Sequence, residues 1–400
     1  MKSILGHGRG SKLFVWVYVA ISCFGYFSAI QLYLYFINGM GGVKTELFNF
    51  MSGFVFTLLI TKLLFSSILL VQDVFRLLIG SFHYILSLLN ITNAQDIPFI
   101  PERRRFVATA GTLIAGIPFF SMLYGITKGK YQYTVEKITL TFKDLPKNFD
   151  GFRLVQISDI HSGSFDNKDK IIPGIEMINA LKPDIVCFTG DLVNSEKEEI
   201  DPYIDIFSKI EARYGKYAIL GNHDYYGSYN RSDSNAEQLY FNDFFNRYTK
   251  MGFDLLNNAK RSISIGGESI NLIGVENWGA GRWFPKKGDL NLATTEVNSD
   301  DFNILLSHDP THWDEKVLSY QKHIHLTLSG HTHGFQFGFQ LPGFKWSPAQ
   351  YRYKRWLGLY EENEKFLYIN RGFGFLGFPG RVGMWPEITL IELKRSNLTG

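Results

Sequence analysis

Five short clusters between residues 159 and 333 combine groups that bind metals with groups that move protons. They are Asp159-Ile160-His161, Gly190-Asp191, Gly221-Asn222-His223-Asp224, His308 and Gly330-His331-Thr332-His333. Imidazole nitrogen and carboxylate oxygen together suit Mn, Fe or Zn, whereas Mg and Ca prefer oxygen alone. Asn222 offers a neutral oxygen, His223 a proton near physiological pH, and Asp224 a carboxylate that could orient the imidazole beside it. Each cluster alone has a bland reading. Asp-x-His and Gly-Asp are common in turns, the two longer motifs could be polar loops, and His308 could cap a helix starting near Thr311. The joint occurrence carries the signal.

Elements must bring these clusters together. Each follows an apolar run of strand length: 153–158, 184–189, 217–220, 303–307 and 323–329. Side chains at turns after C-terminal strand ends can converge in one cleft. Ile138, Leu140 and Phe142 alternate with polar residues, as in a half-buried strand. Helical spacing marks 171–181, the region 204–210, and 235–250, whose apolar side is Leu239, Phe241, Phe244, Phe245 and Tyr248. Further strands fall at 269–275, 366–370 and 387–392. The βα alternation comes first and a β-rich half follows. This predicts an α/β domain over residues 128–400, with two facing sheets flanked by helices. His323 and His325 take packing roles in this reading.

In their order and spacing the five clusters resemble the motif set of the calcineurin-like metallophosphoesterases, in particular a bacterial membrane-bound subgroup, from about Val135 onward. The resemblance implies a four-layer αββα sandwich, two divalent metal ions (Mn, Zn or Fe), and hydrolysis of phosphoester or phosphodiester bonds by a hydroxide held between them. It implies Asp159, His161 and His333 on the first ion, Asn222, His308 and His331 on the second, and Asp191 bridging both. His223 would be the acid, with Asp224 fixing its tautomer. The purple acid phosphatases, relatives in this superfamily, place a Tyr three residues after the bridging Asp. Asn194 stands there, so a tyrosinate-bound ferric ion is not expected.

The first third has a different character. Residues 13–36 carry no charged side chain, 51–71 only Lys62, and 106–125 none. Each is long enough to cross a bilayer core. Residues 74–90 hold Arg76 and His83 on one helical face and read as interfacial or as a short span. Residues 1–127 thus form a membrane-embedded helical region. Lys2, Arg9 and Lys12 precede the first span, Gly39, Gly41 and Gly42 end it, and Arg103-Arg104-Arg105 precedes the last. The positive-inside rule puts both basic groups on the cytoplasmic side and residues 128–400 on the outer face of the cell membrane. Arg103-Arg104-Arg105-Phe106-Val107 also partly resembles a twin-arginine export signal, or is simply a basic stop before a helix.

Charge and cysteine narrow the classes further. A net charge of +3 without a long basic block does not imply nucleic-acid binding. Cys23 and Cys187 stand far apart in apolar runs and read as buried thiols. The stretch 343–359 holds Lys345, Arg352, Lys354 and Arg355 among aromatic residues, without an acid. It suits a membrane interface or a lipid headgroup, or else a solvated hairpin. Arg371 and Arg381, in a Gly-rich run, are candidates for phosphate contacts. The reading is a membrane-anchored phosphoesterase with a phosphate-containing substrate, a lipid among the candidates. The alternatives are a cytoplasmic-facing pyrophosphatase of a nucleotide-linked lipid and a non-catalytic, metal-stabilised membrane adaptor.

Overall fold

The computed structural model describes residues 9–37, 45–89, 101–230, 233–298 and 300–396. Two compact units divide the chain, one of helices up to Thr127 and one α/β unit from Lys128 onward. Lys2 and the glycines at 39, 41 and 42 lie outside the described residues, as do the side chains of Arg103, Arg104 and Arg105.

The helical unit consists of α1 (Arg9–Ile37), α2 (Glu46–Leu88) and α3 (Pro101–Thr127). All three are long and apolar enough to cross a membrane. Most of their large apolar side chains are exposed, which suits lipid and not water. Lys62, inside the apolar first half of α2, reaches Ser22 Oγ at 3.5 Å and lies over the rings of Tyr18 and Tyr26. These partners from α1 answer a charge that hydrocarbon cannot. The separation of 51–71 from 74–90 is corrected here, because one helix of 43 residues runs through both. No Pro or Gly stands at the expected break. Gln72 is buried, and Asp73 pairs with Arg76 one turn on, at 3.3 Å.

The α/β unit is built on two six-stranded sheets. The first contains β1 (Thr134–Phe142), β2 (Phe152–Ile157), β3 (Ile185–Phe188), β4 (Lys216–Ala218), β5 (Phe253–Leu255) and β14 (Glu387–Arg395), in the order β1-β14-β2-β3-β4-β5. Strands β2 to β5 run parallel. The second contains β6 (Ala259–Ile265), β7 (Glu268–Gly274), β8 (Asn303–Leu306), β9 (Leu326–Ser329), β12 (Gly358–Glu362) and β13 (Lys365–Ile369), in the order β12-β13-β9-β8-β7-β6. Its central strands β7, β8, β9 and β13 are parallel. A small hairpin, β10 (Phe339–Leu341) with β11 (Phe344–Trp346), belongs to neither sheet.

Alternation assigns the two faces of each strand. Leu154, Ile185 and Cys187 meet Ile304, Leu306, Leu326 and Leu328 in a core between the sheets. Val155, Ile157, Val186 and Phe188 point the other way, onto α4 (Ile172–Ala180) and α6 (Ser234–Lys250). On the far side of the second sheet, Leu305 and Ile273 pack with Trp313 and Val317. Strands covered on both faces explain the near-continuous apolar runs. The result is the four-layer α/β sandwich preceded by apolar helices. The expected helix at 204–210 is shorter, with α5 spanning Ile204–Phe207 after a 3-10 stretch at Lys197–Tyr203. His325 stacks on Phe302, accepts from Asn303 N at 3.0 Å and reaches Asp144 at 2.5 Å.

Candidate metal centre

The clusters converge because their strands are parallel neighbours. Asp159, Asp191 and Asn222 follow β2, β3 and β4 in one sheet, and His308 and His331 follow β8 and β9 in the other. Hydrogen bonds join the two groups across the sheets. Gln156 Nε2 donates to Ser329 O at 2.9 Å, and the His331 N–H donates to both Asp159 oxygens at 3.0 and 3.1 Å.

The backbone at these turns is strained in one consistent way. Asp159, His161, Asp191, His331 and His333 all have φ between 48° and 72°. Non-glycine residues rarely hold such left-handed values, and when they do they cluster at functional sites. The motif glycines have a different reason. A Cβ on Gly221 would lie 2.2 Å from Asp191 Oδ1, and one on Gly330 would lie 2.2 Å from Asp159 Oδ2 and nearer still to Ser158 Oγ. Any side chain there would displace a carboxylate of the centre.

The donor atoms form two groups, Asp159 with His161 and His333, and Asp191 with His308 and His331. Within the first, His161 Nε2 and His333 Nε2 are 3.0 Å apart, and Asp159 Oδ1 is 3.2 Å from the latter. Asp191 Oδ2 touches both groups, 3.2 Å from His308 Nε2 and 3.5 Å from His161 Nε2. All these residues are buried except His331, which is partly so. Asn222 is buried beside them, and its Oδ1 has no hydrogen-bond partner.

Tautomers follow from the other ring nitrogens. His308 Nδ1 donates to Thr189 O at 2.7 Å, which leaves the Nε2 lone pair aimed at Asp191. His331 turns the opposite way. Its Nε2 meets the Tyr353 hydroxyl at 3.0 Å and Asp309 Oδ2 at 3.5 Å, so Nδ1 is left for the centre. A carboxylate behind a ligating imidazole is a common way to orient it. Burial works against a charge on His308, but without a cation Asp191 outweighs it and lifts the imidazole to about 10, so Nε2 then holds a proton that a bound ion would displace to use the lone pair. Burial would likewise raise Asp191, yet His308 and His223 hold it well below the usual carboxylate range. Lone pairs facing carboxylate oxygens, with an orphaned amide oxygen nearby, are an arrangement that divalent cations satisfy, and the mixed N and O donors suit Mn, Zn or Fe. The residues therefore fit a metal pair.

His223 and Asp224 part company. The His223 ring is partly exposed, and its Nδ1 lies 2.7 Å from the Asn194 carbonyl, which accepts its proton and frees Nε2. The expected role of Asp224 as the group that orients His223 is corrected. Asp224 is fully buried and turned away, and its oxygens accept N–H bonds from Asp191, Leu192, Val193 and Gly221 at 2.8–3.3 Å. It ties two motif turns together. Arg371 and Arg381 are not placed for phosphate contact either. Arg371 is paired with Glu387 and Glu136, and Arg381 donates to the carbonyls of Gly374, Met384 and Arg371 while lying 3.2 Å from His333 Nδ1. Both are buried.

Sequence reasoning missed Asp309 and Tyr353. Asp309 directly follows a ligand candidate, which was a usable signal. Tyr353 comes from a distant loop and offered none. Its ring and that of Phe284 stand edge-on to His331, at 5.5 and 4.8 Å.

The comparisons agree with this geometry. The family "Calcineurin-like phosphoesterase" matches residues 152–335, and "Probable Calcineurin-like phosphoesterase, transmembrane domain" matches residues 2–130. "Uncharacterized metallophosphoesterase YkuE" of Bacillus subtilis is 29% identical over 302 residues, 74% of this chain and 99% of that one. "Transmembrane protein with metallophosphoesterase domain" of Danio rerio is 30% identical over 281 residues, 68% of this chain and 60% of that one. "Uncharacterized metallophosphoesterase Cj0846" of Campylobacter jejuni is 30% identical over 254 residues, 63% and 61% of the two chains. The chain thus spans less than two thirds of the length of the last two relatives. With five motifs gathered at the ends of parallel strands and both family regions matched, the chain belongs to the calcineurin-like metallophosphoesterases, in a membrane-bound branch.

Proposed function

We propose that the protein is a membrane-anchored phosphoesterase that depends on two divalent ions and hydrolyses phosphoester or phosphodiester bonds. The observation that carries this reading is Asp191, whose Oδ2 lies within 3.5 Å of an imidazole nitrogen from each donor group. When bound, two ions clamp phosphoryl oxygens and make water nucleophilic at neutral pH. Asp159, His161 and His333 hold the first ion, Asn222, His308 and His331 hold the second, and Asp191 is shared. Thr189 O and Asp309 hold His308 and His331 in the tautomers this requires. His223 stands at the mouth with Nε2 turned outward from its Asn194 anchor. There it gives a proton to the leaving oxygen, and the carbonyl behind it stabilises the imidazolium. Catalysis is placed on the outer face of the cell membrane, by a chain that crosses it three times.

The test is the purified full chain, assayed on bis(p-nitrophenyl) phosphate and p-nitrophenyl phosphate with elemental analysis of the same samples. Hydrolysis should vanish with a chelator and return with Mn or Zn, at two ions per chain. Asp191→Asn should lower occupancy of both sites together. A chain that binds no transition metal under any supplement would refute the reading.

A further inference from the structure

The hairpin β10–β11 is inserted between two parts of the centre. It leaves the chain just after His333 and returns before Tyr353, the residue that holds His331. Its base is tied down by the Gly338 N–H donating to Val382 O at 2.9 Å and by Ser347 Oγ donating to Gly334 O at 2.6 Å. Pro342-Gly343 makes the turn, and Gly343 takes the φ of +76° that such a turn needs.

The register pairs Phe339 with Trp346, Gln340 with Lys345, and Leu341 with Phe344. Residues opposite each other share a face, so Phe339, Leu341, Phe344 and Trp346 form one apolar face. That face is open. Phe339 is 44% exposed, Leu341 59% and Phe344 56%. A two-stranded hairpin with an apolar face is marginal in water and needs something to pack on.

The surroundings indicate what covers it. Tyr351 on the return segment is 79% exposed, and Trp283 is 83% exposed on the loop whose Phe284 lies against His331. Aromatic rings with a polar edge settle at the headgroup level of bilayers. From Gly334 to Tyr360 the chain has no acid, and Arg352 and Lys354 stand exposed there, whereas Lys345 is half-buried and Arg355 is buried against Glu362. That charge complements anionic lipid. A bilayer is also always at hand, since the same chain carries three helices apolar enough to cross one.

We infer that the β10–β11 hairpin inserts its apolar face into the interfacial layer of an anionic bilayer, so that the mouth beside His331 takes phosphoesters presented at the headgroup level. The substrate class rests on the phosphoesterase reading, whereas the insertion does not.

The test uses the full chain reconstituted in vesicles of phosphatidylglycerol and phosphatidylcholine. Cys23 and Cys187 are replaced, and an environment-sensitive dye is placed at Leu341→Cys or, as control, at Lys250→Cys, an exposed position at the end of α6. Lipids bearing a nitroxide near the headgroup should quench the dye at Leu341 and spare it at Lys250. Equal quenching at both positions overturns the insertion. Disulfide cross-linking between two Leu341→Cys chains would assign the face to a second copy and overturn it too. The second arm compares a p-nitrophenyl phosphodiester carrying a hexadecyl chain, embedded in the vesicles, with soluble bis(p-nitrophenyl) phosphate. Leu341→Gln with Phe344→Gln should lose about tenfold on the embedded probe and little on the soluble one, since two interfacial side chains are lost. Leu341→Trp with Phe344→Trp should retain both rates. Equal rates for the Gln pair and the unaltered chain on the embedded probe overturn the headgroup-level site. If the unaltered chain hydrolyses neither probe, the phosphoesterase reading fails, and the quenching still decides the insertion by itself.

Discussion

At the scale of the residue, His223 and the ligand candidates are separable by experiment. Its Nδ1 is taken by the Asn194 carbonyl and its ring is partly exposed, so it is free to serve the leaving group without holding an ion. His223→Ala should keep both ions and lose about 10²–10⁴-fold in turnover on an alkyl leaving group. The loss should shrink for an activated aryl leaving group, which needs no proton. His308→Ala should instead lose an ion. Metal stoichiometry measured beside rates checks both, and metal loss in His223→Ala would move that residue into the ligand set. The donor candidates were legible in sequence because their residue types and the preceding strands already implied convergence. Asp224 was not, since adjacency along the chain says nothing of direction. Its carboxylate points back under the turn while His223 points out.

At the scale of the element, the turns after the strands are held by main-chain hydrogen bonds to Asp224 and by glycines that touch carboxylates. Asn in place of Asp224 retains one acceptor oxygen and turns an N–H₂ toward donors. Asp191, Leu192, Val193 and Gly221 all donate to the carboxylate in the native chain. Each buried donor left unpaired costs about 1–3 kcal/mol. Asp224→Asn should therefore lower the melting temperature more than His223→Ala does, and reduce metal content besides, by thermal scanning and elemental analysis of the full chain. Equal melting temperatures would mean the brace is dispensable. The strands themselves were readable, because doubly covered strands print as unbroken apolar runs. The helices were less so. Leu239 fits the apolar spacing of α6 yet is 60% exposed, since it lies at the edge of the covered stripe. The length of α2 is hidden in the sequence because Arg76 and His83 on one helical face give 74–90 an interfacial look. A charged pair one turn apart on a helix surface costs little, and no Pro stands there to end the helix.

At the scale of the whole molecule, the number of crossings decides where the chemistry happens. A bilayer core about 30 Å thick needs roughly 20 residues of helix, and α1, α2 and α3 all exceed that. If each of the three helices crosses once, as proposed, the segments before α1 and after α3 would lie on opposite faces. The basic residues Arg9 and Lys12 at the start of α1 and Arg103, Arg104 and Arg105 at the start of α3 would then share the cytoplasmic side, as the positive-inside rule asks. A reporter that works only outside the cytoplasm, fused after the last residue, should be active. One that fluoresces only inside should be dark. Changing Arg103, Arg104 and Arg105 to Gln should scramble the orientation. Changing Arg103 and Arg104 to Lys should leave it intact if charge alone is read, and should abolish export if the pair is an export signal. A dark outer reporter with a bright inner one, in the unaltered chain, would mean a fourth crossing among residues 38–100 and would place the phosphoesterase in the cytoplasm.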